Sequence, residues 1–182
     1  MKIRAYAKVN LASDVVRKRE DGYHDLEMIM APITLHDLIY IEKIDHGIQI
    51  TANTNRMPTD QRNIMYKVAQ LLIERYQIPY GVKIHIYKHI PTQAGLAGGS
   101  GDGAAVLKAM NRMFRLNLSL DTLAKIGKEV GADIPFCIYE KMALVKGIGE
   151  QLEFINQDFH CYLLLVKPKK VYLQRNHLEC LI

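Results

Sequence analysis

The sequence Pro91-Thr92-Gln93-Ala94-Gly95-Leu96-Ala97-Gly98-Gly99-Ser100-Gly101-Asp102-Gly103 decides how this chain is interpreted. It contains five glycines and lies just ahead of an apolar helical run that begins at Ala104. Glycine has no Cβ, so its backbone can come close to a ligand, and the free N–H groups at a helix start favour negative charge. The stretch therefore predicts an anion site, and phosphate is the expected occupant.

A flexible glycine linker is the alternative interpretation of this stretch. Leu96 and the alanines inside it favour a phosphate site, as does the alternating strand from Val82 to Lys88 that leads into it. No lysine follows the glycines, so the stretch is not the loop G-x-x-x-x-G-K-[ST], and it lacks the spacing G-x-G-x-x-G of dinucleotide-binding proteins. The sequence predicts a phosphate loop of another type.

Composition indicates one globular domain. The chain has 182 residues, of which 49% are hydrophobic and 24% charged, enough for a single large core. Its net charge of +5 is spread along the sequence, whereas nucleic-acid binding usually requires a clustered basic face. We therefore expect no nucleic-acid partner.

Cysteine usage and hydropathy indicate the cytoplasm. The three cysteines form an odd set without C-x-x-C spacing, which favours a reducing compartment. The first residues enter an alternating strand without a signal peptide, and no apolar run approaches the ~18 residues that span a bilayer. We expect a cytoplasmic protein with no membrane partner.

Apolar periodicity predicts an α+β fold without a regular βαβ repeat. Strands are predicted at residues 3–11, 26–33, 37–44, 47–52, 82–88, 136–139 and 143–146, and residues 161–166 are also strand-like. The predicted helices comprise one with an apolar face from residue 64 to 76, one over 103–114 and one over 120–130. Thr59 or Asp60 is expected to cap the first helix and Ser119 the last.

Three segments resemble motifs of the GHMP kinases, a family named for galactose, homoserine, mevalonate and phosphomevalonate substrates. The glycine stretch resembles their central motif. Ala5-Tyr6-Ala7-Lys8-Val9-Asn10-Leu11 and Lys18-Arg19-Glu20-Asp21-Gly22-Tyr23-His24 resemble the opening of the branch that phosphorylates a CDP-linked isoprenoid precursor, and Gly131-Ala132-Asp133-Ile134-Pro135-Phe136 resembles its catalytic-aspartate segment. The resemblance implies a kinase with ATP and Mg²⁺ as cofactors and a fold of the ribosomal protein S5 domain 2 type.

This chain departs from the family pattern at three places. The family usually reads Gly-Gly-Ser-Ser-Asp-Ala-Ala, so Gly101 replaces a hydroxyl and Gly103 replaces a helix-favouring alanine. Glycine costs about 0.5–1 kcal/mol relative to alanine within a helix, which predicts a looser loop. Glu140-Lys141-Met142 lies where these kinases usually carry small residues, often glycines.

Length is the larger departure. Family members have a C-terminal domain that completes the substrate cleft. The resemblance predicts an N-terminal, ATP-binding domain over residues 1–166 and a divergent tail over residues 167–182 in place of that second domain, as after a truncation or a frame change.

Asp133 is the candidate catalytic residue. From the residues alone, its setting between Gly131-Ala132 and Ile134-Pro135 indicates a turn or capping aspartate. The resemblance implies instead the general base that takes the proton of the acceptor hydroxyl. Lys8 is then the cation that keeps Asp133 ionised or neutralises transferring charge, although alone it is an exposed strand lysine. Asn10, on the same strand face as Lys8, can orient the acceptor hydroxyl.

The remaining candidates bind the two substrates. The resemblance implies ATP contacts from Asn63, Lys88, Ala94, Gly95, Leu96, Ala97, Gly98, Gly99 and Ser100. Amides from the glycine loop would surround the phosphates, with the Ser100 hydroxyl near Mg²⁺. Asn63 can equally be a helix-start residue, Lys88 a solvated strand charge, and Asp102 a helix cap without a ligand role.

Recognition of the CDP group is assigned to Tyr23 and His24. An aromatic ring can stack on cytosine, and a neighbouring histidine can hydrogen-bond the edge of the base. A simple loop leading into the next strand is the alternative for these residues.

Three hypotheses follow. The first is an ATP-dependent kinase of the CDP-linked precursor in isoprenoid synthesis. The second is a non-catalytic nucleotide-binding remnant, because half of a cleft excludes water poorly. The third is a GHMP kinase of another substrate.

Overall fold

The structure is a computed structural model that describes residues 1–19, 22, 24–147, 149, 151–156 and 160–167. Tyr23 and residues 168–182 of the expected tail lie outside the described residues. The described elements are β1 (Lys2–Lys18), β2 (His24–Ile44), β3 (Ile48–Ala52), α1 (Ile64–Arg75), β4 (Gly81–Tyr87), α2 (Gly98–Met113), α3 (Leu120–Lys128), α4 (Ile134–Tyr139), β5 (Ala143–Gly147) and β6 (Gln151–Phe154). The prediction of an α+β fold is confirmed.

The long strand β2 organises the sheet. The order is β3-β4-β2-β5-β6, and β1 pairs antiparallel with β2. On the edge opposite β1, residues 38–44 of β2 pair with β4 and residues 26–30 pair with β5. β3 and β4 are parallel and are connected through α1, so the chain contains one βαβ crossover. This arrangement leads β4 directly into the glycine-rich stretch.

Helix α2 lies at the centre of the helical layer. It is buried continuously from Gly101 to Leu107, as expected for a helix packed on several sides. Its neighbours are α1, α4 and the inner face of β1 and β2. That inner face is built from alternating apolar residues such as Ala5, Ile39 and Ile41, each at most 1% exposed. The core therefore fixes the first turns of α2 against β1.

The start of α2 differs from the predicted one. The helix begins at Gly98 instead of Gly103. A Cβ built on Gly101 would lie 2.9 Å from the Tyr6 carbonyl oxygen, and one on Gly103 would lie 2.6 Å from Ile64 Cγ2. The expectation of a looser loop is wrong, because these glycines let α2 pack closely on β1 and α1.

The prediction of a strand at residues 136–139 is also wrong, since these residues lie in α4. Pro135 is in the first turn of this helix, where the missing N–H of proline costs no intrahelical bond. A short apolar run is compatible with either element, and packing decides it here.

Smaller differences concern boundaries. The strands predicted at 26–33 and 37–44 form one strand, β2, because β1 pairs with it along most of its length. The cap of α1 is Asn63 instead of Thr59 or Asp60, whereas Ser119 caps α3 as predicted. Residues 160–167 contain no regular element, so the strand expected at 161–166 is absent.

Candidate functional site

A cleft among the described residues surrounds the glycine loop. Its volume is about 770 Å³, within the range of small-molecule sites. The cleft brings together most of the candidate residues from the sequence: Lys8, Asn10, Asn63, Lys88, Ala94, Gly95, Leu96, Ala97, Gly98, Gly99, Ser100 and Asp133. Asp102 also lines it, and His24 does not.

The glycine loop is a packed segment and not a flexible linker. Leu96 packs with Ala7 and Ile90 in a small apolar cluster separate from the main core. Ala97, at the N-cap of α2, has the left-handed conformation with φ of 52° and makes no side-chain cap hydrogen bond. The first N–H groups of α2 have no intrahelical acceptor, so they remain available to an anion.

A bulge in β1 ties this loop to the sheet. The register between β1 and β2 shifts between Tyr6 and Lys8, and Lys8 lies opposite Pro32. The backbone N–H of Lys8 donates instead to the Leu96 carbonyl oxygen at 3.1 Å. Bulges often redirect backbone groups beside functional sites, and this one joins β1 to the loop.

Lys8 and Asn10 contact each other in the lining of the cleft. The Lys8 ammonium donates to the side-chain oxygen of Asn10 at 2.9 Å, and Lys8 is 8% exposed. Among the described residues Lys8 forms no ion pair with Asp133. The Asn10 amide group also lies 3.4 Å from the Met28 sulfur. The two side chains are thus oriented by each other.

Asp133 lies at the N-cap position of α4 but does not act as a cap. Its side chain makes no cap hydrogen bond, and no described residue donates to its carboxylate. It is partly exposed and lines the cleft. A carboxylate without an internal partner at the wall of a cleft can accept a proton from a bound hydroxyl.

The buried thiol of Cys137 lies behind this part of the cleft. Burial, assisted by the Asp133 charge and opposed by the Lys8 charge, raises the pKa of this thiol to about 12. Cys137 therefore stays protonated at neutral pH, and it is influenced by both charges of the candidate catalytic pair.

Asn63 and Lys88 also have internal partners. Asn63 caps α1 by accepting from the Met65 N–H at 2.8 Å, and its amide group donates to the Pro58 carbonyl at 2.6 Å. The Lys88 ammonium is bound to the buried carboxylates of Asp37 and Asp102. Lys88 is thus not the solvated charge considered as an alternative.

The pKa values of Lys88 and Asp102 are both raised in this buried cluster. Burial alone would lower the pKa of Lys88, but Asp102 and Asp37 together outweigh it and raise that pKa. Burial raises the pKa of Asp102 to about 8, with Lys88 opposing and Asp37 adding to the rise. Asp102 Oδ1 is buried and has no hydrogen-bond partner within the described part of the chain. Asp102 is also in the second turn of α2, so it is not a helix cap.

Sequence reasoning missed Asp37. The alternation of β2 could have revealed it, because Asp37 shares the buried face of this strand with Ile39 and Ile41. A charged residue at an inward position of an apolar strand requires a partner, and in the structure that partner is Lys88.

His24 begins β2 and pairs with Lys18 at the end of β1. It lies outside the lining of the cleft, although Leu26 and Met28, farther along β2, contribute to that lining. The three residues alternate along one strand, so they share one face.

Comparison with known proteins relates this chain to the GHMP kinases. The sequence model described as GHMP kinases N terminal domain matches residues 63–141. A 4-diphosphocytidyl-2-C-methyl-D-erythritol kinase of Caldicellulosiruptor bescii is 50% identical over 170 residues, covering 93% of this chain and 59% of that protein. The enzyme of the same name from Clostridium acetobutylicum is 50% identical over 168 residues, covering 92% of this chain. The chain spans 59% and 60% of the length of these two relatives.

Solved structures agree with the sequence comparison. A crystal structure of 4-(cytidine 5'-diphospho)-2C-methyl-D-erythritol kinase is 36% identical, with a TM-score of 0.76, over 85% of this chain and 55% of that one. The mevalonate kinase of Methanococcus jannaschii is 19% identical, with a TM-score of 0.64, over 86% of this chain and 56% of that one, and it shows the shared fold alone. No helix in the described ranges has the length and apolar character to cross a bilayer.

Proposed function

Since this chain belongs to the GHMP kinases and carries their N-terminal domain, we propose that it transfers the γ-phosphoryl group of ATP to a hydroxyl of 4-diphosphocytidyl-2-C-methyl-D-erythritol. The observation that carries this proposal is the shared cleft of the glycine loop, Lys8 and Asp133. Phosphoryl transfer depends mainly on positioning and charge stabilisation, and these groups supply both.

ATP phosphates are assigned to the loop from Ala94 to Ser100. Support comes from the free N–H groups at the start of α2 and from the dipole of this 16-residue helix, both of which favour anions. Asn63 lines the same cleft and is assigned to the nucleotide. Its role as a helix cap fixes its position there.

Mg²⁺ supplies neutralisation of phosphate charge when it is bound. The hydroxyl of Ser100 is an oxygen donor in the cleft, of the type that Mg²⁺ prefers. Gly101 contributes no side-chain oxygen, so Ser100 is the hydroxyl assigned to the ion.

Asp133 is assigned as the base. It accepts the proton of the acceptor hydroxyl while the bond from that oxygen to the γ-phosphorus forms and the bond from that phosphorus to the bridging oxygen of ADP breaks. Lys8 stabilises negative charge on the transferring group, and Asn10 orients the hydroxyl together with Lys8. The CDP end of the substrate is assigned to His24, at the start of β2, and to Tyr23, which lies outside the described residues.

A second candidate is nucleotide binding without transfer. Gly101 favours it, because a loop hydroxyl usual in the family is missing here.

One assay separates the two candidates. The 182-residue chain is incubated with MgATP and 4-diphosphocytidyl-2-C-methyl-D-erythritol, and the phosphorylated product is quantified. Turnover supports the kinase. Binding of a non-hydrolysable MgATP analogue without turnover supports the second candidate, and failure of both binding and turnover contradicts both.

A further inference from the structure

A buried cluster of Asp37, Lys88 and Asp102 lies beneath the glycine loop. Asp37 is on β2, Lys88 directly follows β4, and Asp102 is in the second turn of α2. Asp37 is 0% and Asp102 3% exposed, and the Lys88 side chain is 9% exposed. Three ionisable side chains removed from water must be positioned by one another, since buried polar or charged groups without partners are very costly.

The Asp37 carboxylate fixes the segment that enters the loop. Its Oδ1 accepts hydrogen bonds from the backbone N–H groups of His89 at 2.6 Å and Ile90 at 2.9 Å. These residues immediately precede Pro91, where the glycine-rich stretch begins. Backbone bonds to a charged acceptor are stronger than bonds to a neutral one, so the entry is held firmly.

The same carboxylate reaches the segment that leaves the loop. Asp37 Oδ2 binds the Lys88 ammonium, which in turn donates to Asp102 Oδ2 at 2.8 Å. A Cβ built on Gly98, the first residue of α2, would lie 3.4 Å from the Lys88 Nζ. The ammonium therefore lies directly against the helix start that carries the free N–H groups.

We propose that Asp37 is a positioning residue that fixes both ends of the phosphate loop, the entry directly and the exit through Lys88 and Asp102. A glycine-rich loop loses much conformational entropy when it orders around a ligand. Fixing its two ends in advance lowers that cost and raises affinity for phosphate. Lys88 then acts on the nucleotide through the loop and not by direct contact.

This inference rests on the proposed nucleotide site, but part of its test is independent of any ligand. The Lys8 N–H donates to the Leu96 carbonyl at 3.1 Å and the Gly101 N–H to the Ala97 carbonyl at 2.8 Å. Hydrogen exchange of these two amides reports how firmly the loop is seated. The Val82 N–H, which donates to the Gly47 carbonyl at 3.0 Å, reports on a distant part of the sheet.

The primary variant is Asp37→Asn, which keeps an oxygen for the two backbone donors but removes the charge that binds Lys88. We expect exchange of the Lys8 and Gly101 amides in the nucleotide-free chain to accelerate about tenfold, with Val82 unchanged. The matched control is Glu42→Gln on the same strand, which breaks a surface ion pair with Lys83. Unchanged Lys8 and Gly101 exchange, or an equal acceleration of all three amides, would overturn the proposal.

Asp102→Ala is the second variant, for use if Asp37→Asn does not fold. It leaves the pair between Asp37 and Lys88 intact. Only the exit is released, so the Gly101 amide should exchange faster while those of His89 and Ile90 keep their protection. The absence of this contrast would overturn the proposal.

Titration with the non-hydrolysable analogue MgAMPPNP completes the test. We expect its Kd to rise about tenfold in the folded Asp37→Asn chain and to be unchanged in Glu42→Gln. Equal affinity in the parent chain and Asp37→Asn overturns the positioning role. A parent chain that does not bind MgAMPPNP contradicts the proposed function instead, and the exchange result still decides the role of Asp37.

Discussion

The ammonium of Lys8 donates to the side-chain oxygen of Asn10 at 2.9 Å, two residues farther along β1. Lys8 is almost fully buried, so this bond restricts its side chain to one direction within the cleft. Asn10 is therefore expected to orient the cation as well as the acceptor hydroxyl.

Asn10→Ala should reduce kcat for phosphoryl transfer by about 10–100-fold with a smaller change in the KM for ATP, since misorientation of a group that stabilises transferring charge costs mainly the chemical step. Steady-state kinetics with both substrates measures this effect. Ser13→Ala, an exposed change on the same strand, is the control. A kcat unaffected by Asn10→Ala would contradict the orienting role.

The pKa of Asp102 predicts a pH dependence of folding. Burial raises this pKa from 3.8 to about 8, so between about pH 4 and pH 8 the folded chain retains a proton that the unfolded chain releases. The contribution of Asp102 to the free energy of unfolding therefore falls as pH rises through this window. The groups facing Asp102 are Lys88 and Asp37.

Asp102→Asn should flatten this dependence, because asparagine does not titrate. Urea denaturation at pH 5 and pH 8 gives the comparison, with the exposed change Asp45→Asn as control. Parallel losses of stability in the parent chain and in Asp102→Asn would be inconsistent with a raised pKa.

Packing of Gly103 against α1 gives a third prediction. A Cβ at this position would lie 2.6 Å from Ile64 Cγ2. Gly103→Ala should therefore destabilise the chain, because overpacking costs about 1–3 kcal/mol and the gain in helix propensity offsets only about 1 kcal/mol.

The contact with Ile64 can be isolated by a double-mutant cycle measured with urea. Combining Gly103→Ala with Ile64→Ala should cost less than the sum of the single changes, because the colliding methyl is removed. Ile64→Val keeps both branches at Cβ and should give no such relief. Additive costs in the first combination would rule out the collision.

Glu140 gives a fourth prediction. It ends α4 in the left-handed conformation with φ of 52° and forms an ion pair with Lys108. A residue with a Cβ pays roughly 1–2 kcal/mol in that conformation, whereas a partly exposed ion pair contributes about 0–1 kcal/mol.

Glu140→Gly should thus be more stable than Glu140→Ala by about 1 kcal/mol, because both variants lose the pair and only glycine removes the strain. Thermal or urea unfolding of the two variants measures the difference. Equal stabilities would show that the backbone at residue 140 relaxes without glycine.

The sequence predicted those parts of the fold in which the apolar residues follow a single clear periodicity. Strict alternation predicted β4. The apolar face expected between residues 64 and 76 lies in α1, where Met65, Val68 and Leu72 are buried and Ile64, Leu71 and the C-cap Tyr76 are half-buried. It failed at residues 136–139, where four apolar residues fit a strand or a helix and contact with α2 and α3 selects the helix.

The candidate site was also predicted only in part. Motif resemblance singled out Asp133, Lys8 and the glycine loop, and the structure brings these residues into one cleft. The cluster of Asp37, Lys88 and Asp102 could not be read from local patterns, because its members come from β2, the end of β4 and α2. Only the tertiary pairing of these elements joins them.

The most direct test of the kinase account is the rate of MgATP-dependent phosphorylation of 4-diphosphocytidyl-2-C-methyl-D-erythritol by the parent chain and by Asp133→Asn, with MgAMPPNP affinity measured in both. Asp133→Asn keeps the size of the side chain and removes its capacity to accept a proton. We predict turnover by the parent chain and a loss of at least about 100-fold in kcat for Asp133→Asn, consistent with general-base catalysis, with nucleotide affinity unchanged. Turnover that persists at the parental rate in Asp133→Asn, or a parent chain without turnover, would contradict the account.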